Sequence, residues 1–212
     1  MSALTPQNAL IFRITHLANI PWLLDHGLHC QSAPQRDPHF HALGNPELIA
    51  RRQHRRVPIA PGGTLADYVP FYFTPYSIML YNIKTGHGGV PHVANEQIVF
   101  LVSSLRRVAE MGIAFVFTDR HAYVQTAAYY NSLEDLAQVD WKLLQSRDFS
   151  NDPNDPGKKE RYQAEALVYR HLPMAGLMSL VCHNPEVEAY LCQEVARRNL
   201  SLKIAVRPRW YF

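Results

Sequence analysis

The sequence lacks the common motifs that mark nucleotide-binding and hydrolase sites. It contains no GxGxxG, no GxxxxGK[ST] and no GxSxG, so it offers no support for a Rossmann dinucleotide site, a P-loop or the nucleophile elbow of a hydrolase. It also lacks HExxH and a complete set of four zinc ligands, although His26, His29 and Cys30, or His39 and His41, have ligand-like spacing. We therefore expect no metal ion.

Cysteine is scarce and long apolar runs are missing. The three cysteines, Cys30, Cys182 and Cys192, form no CxxC pair and leave an odd thiol, which favours a reducing compartment. The N-terminal stretch has no basic segment followed by a long apolar one, so we predict no signal peptide. No run approaches the ~18 apolar residues of a membrane span. These absences predict a cytoplasmic protein that does not enter a membrane.

The composition is that of a folded protein with mild basic character. Hydrophobic residues make up 47% of the 212 residues and charged residues 18%, enough for one substantial core, and we expect a single domain over residues 1–212. The net charge is +3. The basic residues Arg51, Arg52, Arg55 and Arg56 fall within six positions, a cluster that is typical either of a solvated surface or of a phosphate contact.

Apolar runs rich in β-branched and aromatic residues predict seven strands. These runs cover residues 10–15, 69–73, 97–102, 113–118, 164–169, 177–182 and 202–206. Helices are predicted from a capping box at Ser132–Asp135 and from Asn184 to about Arg198. Because strands outnumber helices and do not alternate with them regularly, the pattern indicates an α+β fold. Two segments of little periodicity, residues 33–63 and 119–159, are long enough to be functional loops.

Residues 14–28 carry the most functional information. An apolar strand leads through Thr15 and His16 into a short helix, with Asn19 as a candidate cap, Pro21 in the first turn and Gly27 at its end. A histidine at a strand end beside a helix start is near backbone donors suited to an anionic ligand. The alternative is that His16 is a satisfied polar residue of the core.

Four strings together resemble the DarT family, ADP-ribosyltransferases that modify bases of single-stranded DNA using NAD. They are ITHLANIPWLLDHGL, PFYFTPYSIMLYNIKTG, FTDRHA and ERYQAEALV, and they occur in this order along nearly the whole chain. The resemblance implies an ADP-ribosyltransferase-type α+β fold of two small, mostly antiparallel sheets packed face to face with a cleft for NAD. It also implies a toxin of a toxin–antitoxin pair, whose DarG-like antitoxin carries a macrodomain.

The resemblance implies a glutamate and an arginine as the catalytic residues. Glu160, placed at the edge of a predicted strand after the polar loop, is matched to the glutamate that stabilises positive charge on the ribose. Glu165 is the competing candidate, and strand alternation allows only one of the two to face the cleft. Arg51 is matched to the arginine that contacts NAD and the target base, with Arg52 and Arg55 as close rivals. An arginine is better suited to orienting the base than to deprotonating it.

Further residues are matched to substrate contacts. For NAD these are Thr15, His16, Leu17, Asn19, Arg51 and Tyr72. For DNA they are Tyr76, Met79, Tyr81, Lys84, His121 and Arg147, which include aromatic and basic groups able to hold a flexible strand. Thymine is favoured over guanine as the target base. Two alternatives are an enzyme of the same fold that acts on RNA or protein, and a non-enzymatic DNA-binding module.

Overall fold

The backbone is organised around one large sheet. A computed structural model describes residues 4–212. Its strands are Leu10–His16 (β1), Leu28–His29 (β2), Tyr68–Tyr72 (β3), Ile98–Ser104 (β4), Phe115–Thr118 (β5), Tyr129–Tyr130 (β6), Glu165–Tyr169 (β7), His171–Leu172 (β8), Ser179–Cys182 (β9) and Lys203–Val206 (β10). Eight of them form a sheet in the order β10-β9-β4-β1-β3-β7-β5-β6, and β2 pairs with β8. The α+β prediction is confirmed.

The helices are short and lie between the strands. They are Ile20–His26 (α1), Pro46–Arg52 (α2), Ile78–Thr85 (α3), Leu105–Glu110 (α4), Trp141–Ser146 (α5), Lys158–Arg161 (α6) and Pro185–Ala196 (α7). Within residues 4–212, no helix combines the length and the hydropathy that crossing a membrane requires.

The expected pair of small sheets is replaced by one continuous sheet. All seven predicted strands form, within one or two residues of the expected bounds. Strand β1 pairs with β4 along its whole length and with β3 through Phe12 and Tyr72, antiparallel on both sides. Because β1 has a partner on each edge, it joins the two halves that were expected to be separate. Among the strands of residues 4–212, β9 and β10 alone pair in parallel.

The first long loop contains a helix that the periodicity did not reveal, and the helix predicted in the second begins later than its capping box indicates. In the first, Asn45 caps α2 by accepting a hydrogen bond from the Leu48 N–H at 3.1 Å. In the second, the predicted capping box at Ser132 gives only a 3-10 turn, because the Ser132 hydroxyl accepts from the Glu134 N–H instead. Helix α5 begins later, after Asp140, whose carboxylate accepts from the Leu143 N–H.

Both faces of the central strands are apolar, so the sheet is covered on each side. On one face Ile11 packs in a cluster with Phe71 and Phe73. On the other, Phe12 packs with Phe100 and Trp210. Because both faces of the sheet are packed against apolar side chains, the strands β1, β3 and β7 are held in place. These strands carry polar groups that are described next.

Candidate active site

A cavity of about 720 Å³ opens between the strands and the first long loop, a volume typical of small-molecule sites. The polar and charged residues of its wall include Arg13, Thr15, Arg52, Tyr72, His121 and Glu165. Strands β1, β3 and β7 supply four of them, α2 supplies Arg52, and the loop after β5 supplies His121. A concave site with a few convergent polar groups is the usual form of an active site.

An ion pair between Arg52 and Glu165 is the most constrained feature of this cavity. Nη1 and Nη2 of Arg52 donate to Oε1 and Oε2 of Glu165 at 3.1 and 2.8 Å. The Ala122 N–H donates to Oε1 at 2.9 Å. Side-chain exposure is 12% for Arg52 and 2% for Glu165. Two parallel charge-assisted bonds in a buried site fix both side chains in a single geometry.

The surroundings keep Glu165 ionised. Burial by itself would raise the pKa of this carboxyl, but the charge of Arg52 and the hydrogen bonds from Arg52 and the Ala122 N–H outweigh this effect, so the pKa lies below its usual value. Burial by itself would lower the pKa of Arg52. The charge of Glu165 and the hydrogen bonds to it outweigh this effect, so the pKa of Arg52 is raised. The cavity therefore holds a carboxylate and a guanidinium, both charged at neutral pH.

His121 lies beside this pair as a neutral ring. Its Nδ1 is 3.8 Å from Oε1 of Glu165 and accepts a hydrogen bond from the Tyr123 N–H at 3.2 Å. Burial lowers the pKa of His121, although Glu165 partly opposes this. With Nδ1 acting as an acceptor, Nε2 carries the proton of the neutral ring.

The expected catalytic positions, Arg51 and Glu160, do not line the cavity. Arg51 is exposed on α2 and pairs with Glu47 at 3.5 Å. Glu160 lies in α6 and not at a strand edge, so the strand alternation used to compare it with Glu165 does not apply. Their rivals Arg52 and Glu165 occupy the wall instead.

Of the residues matched to NAD, Thr15 and Tyr72 line the cavity, whereas His16, Leu17 and Asn19 do not. Burial raises the pKa of Tyr72, so its hydroxyl is protonated. Asn19 is fully buried and makes no cap for α1. Its side chain donates to Thr15 Oγ1 at 3.0 Å and to the His41 carbonyl at 2.9 Å, and accepts from the His41 N–H at 2.8 Å. Asn19 thereby ties the first loop to the end of β1.

His16 occupies the expected strand end but acts on the backbone. Its Nδ1 accepts from the Ala18 N–H at 3.1 Å, and its ring stacks on His41 with centroids 4.8 Å apart. Partial burial and His41 lower its pKa. Since His41 lines the cavity and His16 does not, the stacked His16 ring holds His41 in the wall without being part of it.

The residues matched to DNA divide into two groups. Met79 and His121 line the cavity. Outside it, an aromatic cluster consists of Tyr76, Tyr81, Phe149 and Phe212, with ring centroids 5.4 to 6.5 Å apart. The guanidinium of Arg147 lies 4.0 Å from the Tyr76 ring. Lys84 is half-buried in the last turn of α3.

A family model described as "ssDNA thymidine ADP-ribosyltransferase, DarT" matches residues 12–212. The chain belongs to the DarT family. A curated relative from Escherichia coli O127:H6, described as a DNA ADP-ribosyl transferase, is 52% identical over 211 residues, covering 100% of this chain and 97% of the relative. With this family comes its activity, so the chain is an NAD-dependent DNA ADP-ribosyltransferase.

Solved structures of a family member agree with the fold. DarT of Thermus sp. 2.9 in complex with ADP-ribosylated single-stranded DNA has a TM-score of 0.88 and 33% identity, covering 100% of both chains. The same protein in complex with NAD+ has a TM-score of 0.83 and 33% identity, covering 98% of this chain and 99% of that one. The cavity, with its charged groups and aromatic wall, is of a size and character that fit NAD.

Proposed function

We propose that this enzyme transfers ADP-ribose to thymine in single-stranded DNA, with Glu165 and Arg52 at the centre of its active site. The observation that carries the assignment is the two-bond ion pair of these residues in the cavity wall, with both side chains shielded from solvent. Thymine is supported by the description of the matching family model. The roles expected of Glu160 and Arg51 pass to Glu165 and Arg52 because only the latter two reach the cavity.

The reaction places one main demand on the protein. The bond between ribose C1′ and the nicotinamide nitrogen breaks, a bond from C1′ to a base nitrogen forms, and the base releases one proton to solvent water. Positive charge develops on the ribose as nicotinamide leaves, so a fixed negative charge beside it stabilises the transition state. Glu165 supplies that charge, and its three hydrogen bonds from Arg52 and Ala122 hold it in place before substrate binds.

Arg52 orients the target base and does not deprotonate it. Its pKa is raised further by Glu165, so removing a proton from it at neutral pH is strongly unfavourable. A planar guanidinium that already donates to Glu165 still has N–H groups available for a base carbonyl oxygen. Arg52 can therefore place the base nitrogen next to the ribose that Glu165 stabilises.

Helix α3 connects the cavity to the aromatic cluster, and we propose that the DNA strand follows it. Met79 and Asn82 on α3 line the cavity, while Tyr81, two residues from Met79, is displaced by about 200° around the helix axis and packs with Phe149 and Phe212. Tyr81 and Phe212 are 38% and 40% exposed. Exposed rings beside Arg147 suit the stacking of unpaired bases.

Replacing Tyr81 by alanine is expected to raise KM for a single-stranded oligonucleotide about 10-fold or more, because stacking contributes roughly 1–3 kcal/mol per base. The KM for NAD should stay unchanged. Met178→Ala removes an equally exposed apolar side chain that neither lines the cavity nor belongs to the aromatic cluster, and serves as the control. Equal effects of the two variants would place the strand elsewhere.

The target base is tested by mass spectrometry of short oligonucleotides incubated with the enzyme and NAD. An oligonucleotide with one thymine should gain the mass of one ADP-ribosyl group, and the same sequence with cytosine or guanine in its place should gain none. Annealing to a complement should suppress the reaction, since extracting a paired base costs a few kcal/mol. Modification only of the guanine version would contradict the thymine assignment.

We further propose that the enzyme acts as the toxin of a toxin–antitoxin pair with a macrodomain partner, the role that the resemblance of its sequence to the DarT family implies. The mark left on DNA is a glycosidic bond that a macrodomain hydrolase can remove. Expression in bacteria should arrest growth, and co-expression of a DarG-type macrodomain should restore it. Normal growth without the macrodomain would contradict the toxin role.

A further inference from the structure

Arg13 is a cation in the middle of an otherwise mostly apolar strand. It occupies the centre of β1, between Phe12 and Ile14, and belongs to the cavity wall. Its Nη1 donates to the Pro70 carbonyl on β3 at 2.9 Å. A guanidinium has five N–H donors, and this is the single hydrogen bond to protein that the side chain makes within residues 4–212. Four donors are therefore left over in or beside the cavity.

The cavity wall has no negative group for Arg13. It contains three arginines, Arg13, Arg36 and Arg52, and two carboxylates, Asp37 and Glu165. Glu165 pairs with Arg52, whereas Asp37 accepts a hydrogen bond from the His39 N–H at 2.8 Å and is not paired with Arg36 within residues 4–212. Across the described part of the chain, no carboxylate oxygen lies within 4.0 Å of the Arg13 guanidinium. The wall thus carries one more cationic than anionic side chain, and Arg13 is a cation that has no ion-pair partner there.

Arg13 stays charged despite this environment. Burial, and then the charge of Arg52, lower its pKa to about 10, which still leaves the guanidinium protonated at neutral pH. A partly buried cation beside a second cation is unfavourable until an anion joins it. The bond to Pro70 helps to hold β1 against β3, yet a neutral donor would satisfy a carbonyl equally well, so this bond does not require a charge.

We propose that Arg13 binds a phosphate group of a substrate inside the cavity. This inference rests on the proposed function of the cavity, and adds to it a residue that fixes the anionic part of a ligand. Phosphate is the anionic group of nucleotides, and its oxygens accept two parallel hydrogen bonds from the planar guanidinium of an arginine. Two sources share this chemistry, the diphosphate of NAD and a phosphodiester of the DNA strand.

The test measures binding without turnover, so it is independent of Glu165. Calorimetry with ADP-ribose, adenosine and a thymine-containing oligonucleotide compares the wild type with Arg13→Gln and Arg13→Lys, using Arg209→Gln, which changes an exposed arginine outside the cavity wall, as the control. Loss of a charged hydrogen bond of roughly 1.5–3 kcal/mol corresponds to a 10- to 100-fold weaker Kd. If the diphosphate is held, Arg13→Gln weakens the affinity for ADP-ribose by this factor and hardly changes the affinity for adenosine. If a phosphodiester is held, Arg13→Gln weakens binding of the oligonucleotide, and the salt dependence of that affinity falls by the equivalent of about one charge.

Arg13→Lys separates a ligand role from a structural one. It keeps the charge, so part of the lost affinity should return, and it remains informative if Arg13→Gln folds poorly. Equal weakening of adenosine and ADP-ribose, or unchanged affinity for both ADP-ribose and the oligonucleotide, would overturn the assignment of Arg13. Failure of the wild type to bind ADP-ribose would instead contradict the proposed function of the cavity.

Discussion

Glu165→Gln is expected to lower the rate of ADP-ribosyl transfer by on the order of 10² to 10³ or more, the usual loss when a fixed group that stabilises transition-state charge is removed. Glutamine has nearly the same shape and can still accept from the Ala122 N–H and from Arg52. The change therefore removes the negative charge and leaves most of the packing. Affinity for ADP-ribose should change much less than the rate, because the charge on the ribose develops only as the bond to nicotinamide breaks.

Glu160→Gln is the matched control for this experiment. Glu160 is five residues away, lies in α6 and does not reach the cavity, so its variant should transfer ADP-ribose at nearly the wild-type rate. Initial rates with a thymine-containing oligonucleotide at saturating NAD decide the comparison. An inactive Glu160→Gln beside an active Glu165→Gln would return the catalytic role to Glu160.

The strands were predictable because their signal is local. Runs of β-branched and aromatic residues between turns predicted all seven strands that are longer than two residues, and this signal lies within each run. The two-residue strands β2, β6 and β8 carry no such pattern, since their pairing is set by neighbours in space. The joining of two expected sheets into one follows from the position of β1 between β3 and β4, a tertiary property.

The choice between neighbouring site residues required the structure, although one signal was present. Asn45 and Pro46 are a typical helix start, and a helix there places Glu47 and Arg51 four residues apart on one face. That pair forms at 3.5 Å, which leaves Arg52, about 100° further around the axis, to face Glu165. For Glu160 no comparable signal exists, because α6 spans only four residues.

Arg52→Met is expected to destabilise the fold as well as to reduce activity. Methionine has similar length but no charge, so Glu165 would be left buried without its partner, at a cost of about 3–5 kcal/mol in the free energy of unfolding. Arg51→Met, which removes an exposed side chain, should stay within about 0.5 kcal/mol. Urea unfolding of the three proteins at pH 7 measures the difference. Equal stability of both variants would show that the ion pair is not formed in solution.

The pH dependence of unfolding tests the same pair through the sign of its pKa shift. In the wild type the folded-state pKa of Glu165 is lowered. Its contribution to the free energy of unfolding is therefore complete above the pKa of the unfolded state, and it is lost only as pH falls through the lower pKa of the folded state. Between pH 7 and pH 5 this group should not change the stability. Without Arg52, burial dominates and the folded-state pKa of Glu165 rises, so Arg52→Met should gain stability as the pH falls over this range and Glu165 becomes protonated.

Adding Glu165→Leu to Arg52→Met removes the buried carboxyl, and should recover stability at pH 7 while leaving transfer abolished.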